Sequence, residues 1–193
     1  MNAPSLGFLN TISGPMSAKG GPTLVEAFRV YSKPAKPVVV AVRGLGVDGE
    51  PHPTTIKRAF DDVAIVYPAN GAPFAISFCT HPWQETDGRG GRPAKAFFLP
   101  VGRYKAGPAR SDSHGYPSPK GKPHFTVMVD GAPFVMVDAH GSRMTVGIYP
   151  EPLMSPHLGC QVLRPADWGA FVKAVGGLQA TFDYVLVALT RTP

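Results

Sequence analysis

The sequence is poor in cysteine and contains no long apolar run. Cys79 and Cys160 are the two cysteines among 193 residues, which is too few for a disulfide framework and enough for one bridge at most. No apolar stretch approaches the roughly 18 to 20 residues of a membrane-spanning helix. The first residues, MNAPSLGFLNTISGP, lack the basic and apolar regions of a secretory signal. The sequence therefore predicts neither a membrane span nor a signal peptide.

Charge is also sparse, at 17% of the residues, and 19 Lys and Arg against 13 Asp and Glu leave a net charge of +6. This balance favours anionic surroundings such as cell-wall polymers, nucleic acid or an acidic partner surface. Nucleic-acid binding needs clustered basic residues together with stacking aromatics. The basic residues here are scattered and the aromatics fall mainly in predicted strands, so we expect no nucleic-acid partner.

Glycine and proline are abundant, with 22 of each. Together with short apolar runs, they are typical of a turn-rich β protein. The runs have strand-like length and are bounded by Gly, Pro, Asn or Asp. They cover residues 37–43, 63–68, 73–79, 94–100, 124–130, 133–138, 144–149 and 181–189. The predicted fold class is mainly β, an antiparallel sandwich or barrel.

One helix is predicted in the C-terminal region. Pro165 suits the first helical position, and Asp167 suits the first turn. Apolar residues follow at helical spacing at Trp168, Phe171, Val172 and Val175. Gly176 and Gly177 then predict the end of the helix.

The first 36 residues differ in character from the rest of the chain. They are small, polar and broken by proline, and only residues 23–31 (TLVEAFRVY) look regular. We interpret residues 1–36 as an extended N-terminal arm or linker that is ordered by a partner. Residues 37–193 are long enough for one well-cored domain.

The segment HLGCQ (157–161) carries the most chemical information. A cysteine is a nucleophile when its thiolate is accessible, and the backbone N–H groups of a tight glycine turn can hold the oxyanion of an acyl intermediate. Cys160 follows Gly159 directly, and His140 and His157 are candidate bases. The alternative interpretation of Cys160 is a small buried apolar residue. We interpret Cys79 in that way.

These residues resemble a known family. The pattern of His140-Gly141, a spacer and Gly159-Cys160 resembles the L,D-transpeptidase catalytic domain. The sequence GCQVLRPADWGAFVKAV is similar to a phage and bacterial branch of that family, in which Gly-Cys-Gln precedes a Trp-containing helix. AFDD (59–62), ETDG (85–88) and LPVGRYKAG (99–107) agree with that branch.

The resemblance implies an L,D-transpeptidase-like β domain that acts on the peptidoglycan stem peptide without a cofactor. Cys160 would attack a carbonyl group to form a thioester, which is released to water or to an amine. His140 would be the base, and Gly159 would belong to the oxyanion site. Arg164 lies near the place where the family keeps an arginine that pairs with a substrate carboxylate.

The chain also departs from the family pattern. His157 stands where the family has Ser or Thr, and Leu158 stands where it has His. The related branch places its base at an Ile-His-Arg strand end, and the matching strand here reads VGIYPEP. In that alignment Tyr149 or Pro150 occupies the position of the base. A tyrosine is a poor base near pH 7 because its ordinary pKa is about 10.

Histidines lie near other potential metal ligands at two further places in the sequence. His114 and His124 lie near Asp112, and His81 lies near Cys79, but neither group has CxxC or HExxH spacing. We therefore expect no metal site. The basic, glycine-rich stretch around His114 would suit the lip of a substrate groove, and its alternative is a solvated loop.

Two functional hypotheses follow from the sequence. The first, which the sequence favours, is a phage-associated peptidoglycan-processing enzyme with a Cys-His acyl-transfer mechanism and with substrate contacts from Arg164, His157, Tyr149 and His114. The second is a structural virion protein of a tail or baseplate that kept the fold, lost the activity and joins other virion subunits through its arm. Either hypothesis places the protein in the virion, or in the host cytoplasm before release.

Overall fold

The computed structural model describes residues 35–47, 60–80, 99–109, 123–137, 143–151 and 159–188. Within these ranges lie eleven strands and one helix. The strands are β1 (Val38–Arg43), β2 (Asp62–Tyr67), β3 (Phe74–Cys79), β4 (Gly102–Pro108), β5 (Phe125–Val129), β6 (Ala132–Pro133), β7 (Val135–Val137), β8 (Arg143–Thr145), β9 (Gly147–Pro150), β10 (Gln161–Leu163) and β11 (Phe182–Ala188). The helix, α1, covers Pro165–Ala174 and follows β10 directly.

Eight strands close into a barrel in the order β4-β11-β1-β2-β3-β10-β9-β5, and β5 pairs back to β4. Strand β6 extends the sheet from β5, and β7 pairs with β8 in a separate ladder. The pairings of β1 with β11 and of β9 with β10 are parallel. The remaining barrel pairings are antiparallel.

The main hydrophobic core fills the inside of the barrel. Because side chains alternate along a strand, each of the eight strands sends alternate residues into this core, for example Val39 and Ala41 from β1. Helix α1 adds Phe171, whose ring meets Phe125 and Phe182 edge to face, with centroids 6.0 and 5.9 Å apart. This packing fixes α1, and hence the end of β10, against the barrel.

Three neighbouring strands are apolar on their other side as well. We call this second set of side chains the outer face, and it comprises Val38, Val40 and Val42 of β1, Val63, Ile65 and Tyr67 of β2, and Val185 and Val187 of β11. Each of them is at most 5% exposed. Leu45, Val47 and Ala75 pack against this set. Strands buried on both sides have continuous apolar sequences, which explains the run VVVAV in β1.

The mainly β fold with one helix in the C-terminal region is confirmed, and the sheet is a barrel with two parallel pairings. Apolar spacing predicts where a strand lies, but the direction of its partner depends on the connection between them. Within the predicted run 94–100, Leu99 and Pro100 lie outside any strand, and the rest of that run is outside the described residues. Most of the predicted arm, residues 1–34, is outside them as well. No helix in the described part of the chain is long and apolar enough to cross a membrane.

Candidate cysteine site

Cys160 directly precedes β10, which lies between β9 and β3. Gly159, directly before it, has a φ of +131°, a conformation that glycine adopts without strain. In β10, Val162 pairs with Tyr149 of β9 on one side and with Cys79 of β3 on the other. Because side chains alternate, Cys160 and Val162 face one side of the sheet while Gln161 faces the barrel interior.

The Cys160 side chain belongs to a small buried cluster apart from the main core. The other buried members are Cys79, Tyr149 and Val162, and the partly buried Phe60 packs against them. Cys160 is 6% exposed, and both cysteines are free thiols. The thiol is therefore shielded from solvent.

Polar groups surround the Cys160 sulfur, but the thiol keeps its proton at neutral pH. The thiol donates a weak hydrogen bond to the carbonyl oxygen of Thr145, with 3.9 Å between Sγ and O. Burial raises the pKa of the Cys160 thiol, and hydrogen bonds from the Gly147 backbone and the Tyr149 hydroxyl oppose this effect only in part. Cys160 is therefore a protonated thiol at neutral pH.

Tyr149 acts here as a hydrogen-bond donor. Burial raises the pKa of its phenol, and the charge that Cys160 carries once it is ionised and the charge of Glu151 raise it further. The phenol therefore keeps its proton at neutral pH and cannot take one from Cys160. Glu151, which follows β9, is 6% exposed, and its backbone N–H donates to the carbonyl oxygen of Leu163 at 3.0 Å.

Gln161 holds the peptide between Gly159 and Cys160 from the inside of the barrel. Its Nε2 donates to the carbonyl oxygen of Gly159 at 3.2 Å, and its Oε1 accepts a hydrogen bond from the Tyr184 hydroxyl at 2.6 Å. The C=O and N–H of a trans peptide point in opposite directions. The Cys160 N–H is therefore turned away from the Gln161 side chain.

A buried charged network lies next to this site, at the ends of β1 and β3 and the start of β2. The Asp62 carboxylate accepts hydrogen bonds from Gly44 N–H at 2.7 Å, from Thr80 N–H at 2.8 Å and from the Thr80 hydroxyl at 2.7 Å. The Arg43 Nε donates to the Thr80 hydroxyl oxygen at 3.0 Å. Its Nη2 donates to the carbonyl oxygens of Thr80 and Leu99, at 2.8 and 3.1 Å.

Arg43 therefore joins Thr80, which follows β3, to Leu99, which precedes β4. Burial lowers the pKa of the guanidinium, and the charge of Asp62 opposes this. Arg43 is 7% exposed and Asp62 is fully buried. Because Arg43 and Asp62 are buried and each makes several hydrogen bonds, they hold the ends of the strands in fixed positions relative to one another.

Arg164 has a partner within its own helix. It is the N-cap residue of α1, and its Nε donates to Oδ2 of Asp167 at 3.0 Å. Its side chain is 46% exposed, and exposed ion pairs of this kind are weak. The pairing nevertheless directs the guanidinium along α1.

The structure places four of the predicted site residues and leaves three outside the described residues. It brings Gly159, Cys160 and Tyr149 together, and Arg164 lies at the start of α1. The three predicted histidines, His140, His157 and His114, are outside the described residues. No group of three or more metal-ligating side chains occurs within the described ranges.

Two surface cavities lie away from Cys160. One, of about 320 Å³, is lined by Arg103 and Asp183 among others. The second, of about 500 Å³, lies between the β2–β3 turn and α1 and includes Phe74 and Ala174. Neither cavity is lined by Cys160.

The sequence interpretation missed the network of Arg43, Asp62 and Thr80 and the bond between Gln161 and Tyr184. A signal for the first existed, because Arg43 ends an otherwise apolar strand and Asp62 begins the next. A charged residue in such a place needs a buried partner. No local pattern indicates that Tyr184 reaches Gln161.

Comparisons of this chain with protein-family models, with curated proteins and with solved structures find no match.

Proposed function

We propose that this chain is a catalytically silent, L,D-transpeptidase-like protein of a phage virion, a structural component of a tail or baseplate. The observation that carries the proposal is the burial of Cys160, which is 6% exposed and whose thiol pKa is raised by that burial. The phage and family assignments come from the sequence resemblance.

A cysteine nucleophile needs an accessible thiolate and a base that accepts the thiol proton. Burial raises the pKa of Cys160 and also shields the sulfur. The neighbour on β9 is Tyr149, whose own raised pKa keeps it protonated. Within the described residues, the surroundings of Cys160 therefore provide neither an accessible thiolate nor a base that accepts its proton.

A silent domain still has physical reasons to keep Gly159 and Cys160. Gly159 adopts a positive φ that a larger residue adopts only with strain. Cys160 fills a small space between Cys79, Tyr149 and Val162, where a small apolar side chain packs well. A fold can persist in this way after its activity is lost.

A second candidate function is acyl transfer on the peptidoglycan stem peptide by Cys160. The hydrogen bonds from Gly147 and Tyr149 favour the thiolate, and the Gln161 contact fixes the Gly159–Cys160 peptide. In this reaction the thiol would lose its proton to His140 or His157 and attack a stem-peptide carbonyl carbon. The leaving amine would take the proton, and water or an amine would release the thioester.

The test is incubation of the full chain with peptidoglycan fragments, followed by mass spectrometry of the fragments and of the protein. Cys160→Ala is the test variant, and Cys79→Ala is the matched control because Cys79 is buried in the same cluster. An active L,D-carboxypeptidase provides the positive control for the fragments.

We expect unchanged fragments and an unmodified Cys160. Loss of a stem-peptide residue, or an acyl adduct on Cys160, would contradict the proposal if it disappeared in Cys160→Ala and survived in Cys79→Ala. His140→Ala and His157→Ala would then identify the base.

A further inference from the structure

We propose that Phe60 is a displaceable cover over the buried cluster that holds Cys79 and Cys160. Phe60 leaves this cluster by a local motion while the barrel stays folded, and the Cys160 thiol then becomes accessible to solvent. The inference does not depend on the proposed function, because it concerns access to the thiol and not the chemistry of the thiol.

The backbone of Phe60 has a conformation that phenylalanine rarely adopts. Its φ is +59°, which lies in the left-handed region, where Cβ comes too close to the carbonyl oxygen that follows it. Asp130, the other described non-glycine residue with a positive φ, is of a type that tolerates this region through local hydrogen bonds of its short side chain. An aromatic ring cannot compensate in this way, so Phe60 is strained.

Contacts on both sides of Phe60 hold this strained conformation. The side chain is partly buried and packs against the cluster around Cys160. Two residues further along the chain, the Asp62 carboxylate accepts three hydrogen bonds at the start of β2. A strained residue persists only where its surroundings fix it. Because Asp62 is held at the sheet, Phe60 can relax by releasing its ring from the cluster.

This motion breaks no strand pairing. Phe60 precedes β2, whose pairing with β3 begins at Asp62. Cys160 directly precedes β10 and is likewise outside the strands, whereas Cys79 lies within β3 and pairs with Val162. Residues outside hydrogen-bonded ladders open at a lower free energy than residues within them. We therefore expect Cys160 to be the thiol that becomes accessible when Phe60 moves.

The first test follows alkylation of Cys160 by iodoacetamide in the full wild-type chain at low denaturant concentrations, with the labelled residue identified by mass spectrometry. The denaturant dependence of such a reaction increases with the surface that is exposed in the opening. We expect a slope below about one third of the slope for global unfolding, because the motion of one ring exposes little surface. A slope equal to that of global unfolding would overturn the proposal.

The second test measures the same labelling at pH 7 in Phe60→Ala and Phe60→Gly. The matched control is Phe74→Ala, which removes a partly buried ring that packs against the main core. We expect both Phe60 variants to label Cys160 at least about tenfold faster than the wild type, and Phe74→Ala to differ from it by less than about threefold. If the Phe60 variants label no faster than Phe74→Ala, Phe60 is not the cover.

The third test separates the strain of Phe60 from the loss of its ring. Phe60→Ala and Phe60→Gly both lack the ring, but glycine adopts a positive φ without strain and alanine does not. We therefore expect Phe60→Gly to unfold at a higher denaturant concentration than Phe60→Ala. The reverse order would show that the backbone at this position is not strained, and would overturn the proposal of a strained cover.

Discussion

Two neighbouring regions of the molecule bury ionisable groups in opposite ways. In the network at the strand ends, Arg43 and Asp62 stay together as charged partners with Thr80 between them. Directly before β10, Cys160 is buried beside Tyr149, and its raised pKa keeps it neutral at neutral pH.

The difference follows from what surrounds each group. A buried charge persists when an opposite charge and several hydrogen bonds replace water, as they do around Asp62. The two donors to Cys160 replace water only in part, so the proton stays on sulfur. A cysteine that matches a catalytic sequence motif is therefore a nucleophile only where its surroundings stabilise the thiolate.

We expect the largest loss of stability from Asp62→Asn, which disrupts the buried network of Arg43, Asp62 and Thr80. The amide offers one acceptor oxygen where Asp62 uses two, and it removes the counter-charge of the buried Arg43. Breaking such a pair costs about 3–5 kcal/mol of the free energy of unfolding. Chemical denaturation of both proteins at neutral pH measures this cost.

The control for that prediction is Asp183→Asn, which removes a partly exposed carboxylate paired with Lys105. Exposed pairs contribute about 0–1 kcal/mol. Equal losses in the two variants would show that the Asp62 network is not a special structural element.

A smaller effect is expected from Tyr184→Phe, which removes the hydroxyl that donates to Gln161. The buried Gln161 oxygen loses a partner, at a cost of about 1–3 kcal/mol. Tyr104→Phe is the matched control, since that hydroxyl donates to the Pro100 carbonyl oxygen at an exposed site. Thermal or chemical denaturation should show a smaller loss for Tyr104→Phe, and the reverse order would contradict the role given to Gln161.

The smallest expected effect is a pH dependence of the free energy of unfolding, which arises from buried side chains that are neutral in the folded state. Burial raises the pKa of Cys160 and of Tyr149, and raises that of Tyr67 to about 12. For each group the folded-state pKa exceeds the unfolded value, which is about 8.5 for Cys and about 10 for Tyr. Their stabilisation is therefore complete below about pH 8.5 and is lost as the pH rises through the folded-state values.

Denaturation between pH 7 and 11 measures this loss. Cys160→Ala should reduce the fall in stability between about pH 8.5 and 10, the range in which an unfolded thiol ionises before an unfolded phenol. A wild-type stability that rises with pH, or a fall unchanged in Cys160→Ala, would contradict a neutral buried thiol.

Sequence reasoning predicted α1 and most of the strands because their signals are local, but β4 and β10 lie outside the predicted runs. The apolar run of β1 and the helical spacing of Trp168 and Phe171 are readable from neighbouring residues. It also named Gly159, Cys160 and Tyr149 as candidate site residues. The structure brings these three together, and their roles in catalysis and substrate binding stay predictions.

The protonation state of that site was not predictable from the sequence. It depends on the desolvation of Cys160 by residues distant in sequence, such as Cys79, and on the parallel pairing of β9 with β10. The charged network depends in the same way on strand ends that only the closed barrel brings together.

The most direct test of the central claim is the alkylation rate of Cys160 by iodoacetamide between pH 6 and 10, followed residue by residue with mass spectrometry. The same protein in denaturant provides the reference rate at each pH. We predict that the native rate at pH 7 is at least about 100-fold below the reference, as expected for a buried thiol with a raised pKa. A native rate at pH 7 that equals or exceeds the reference would show an activated thiolate and contradict the proposal that the protein is catalytically silent.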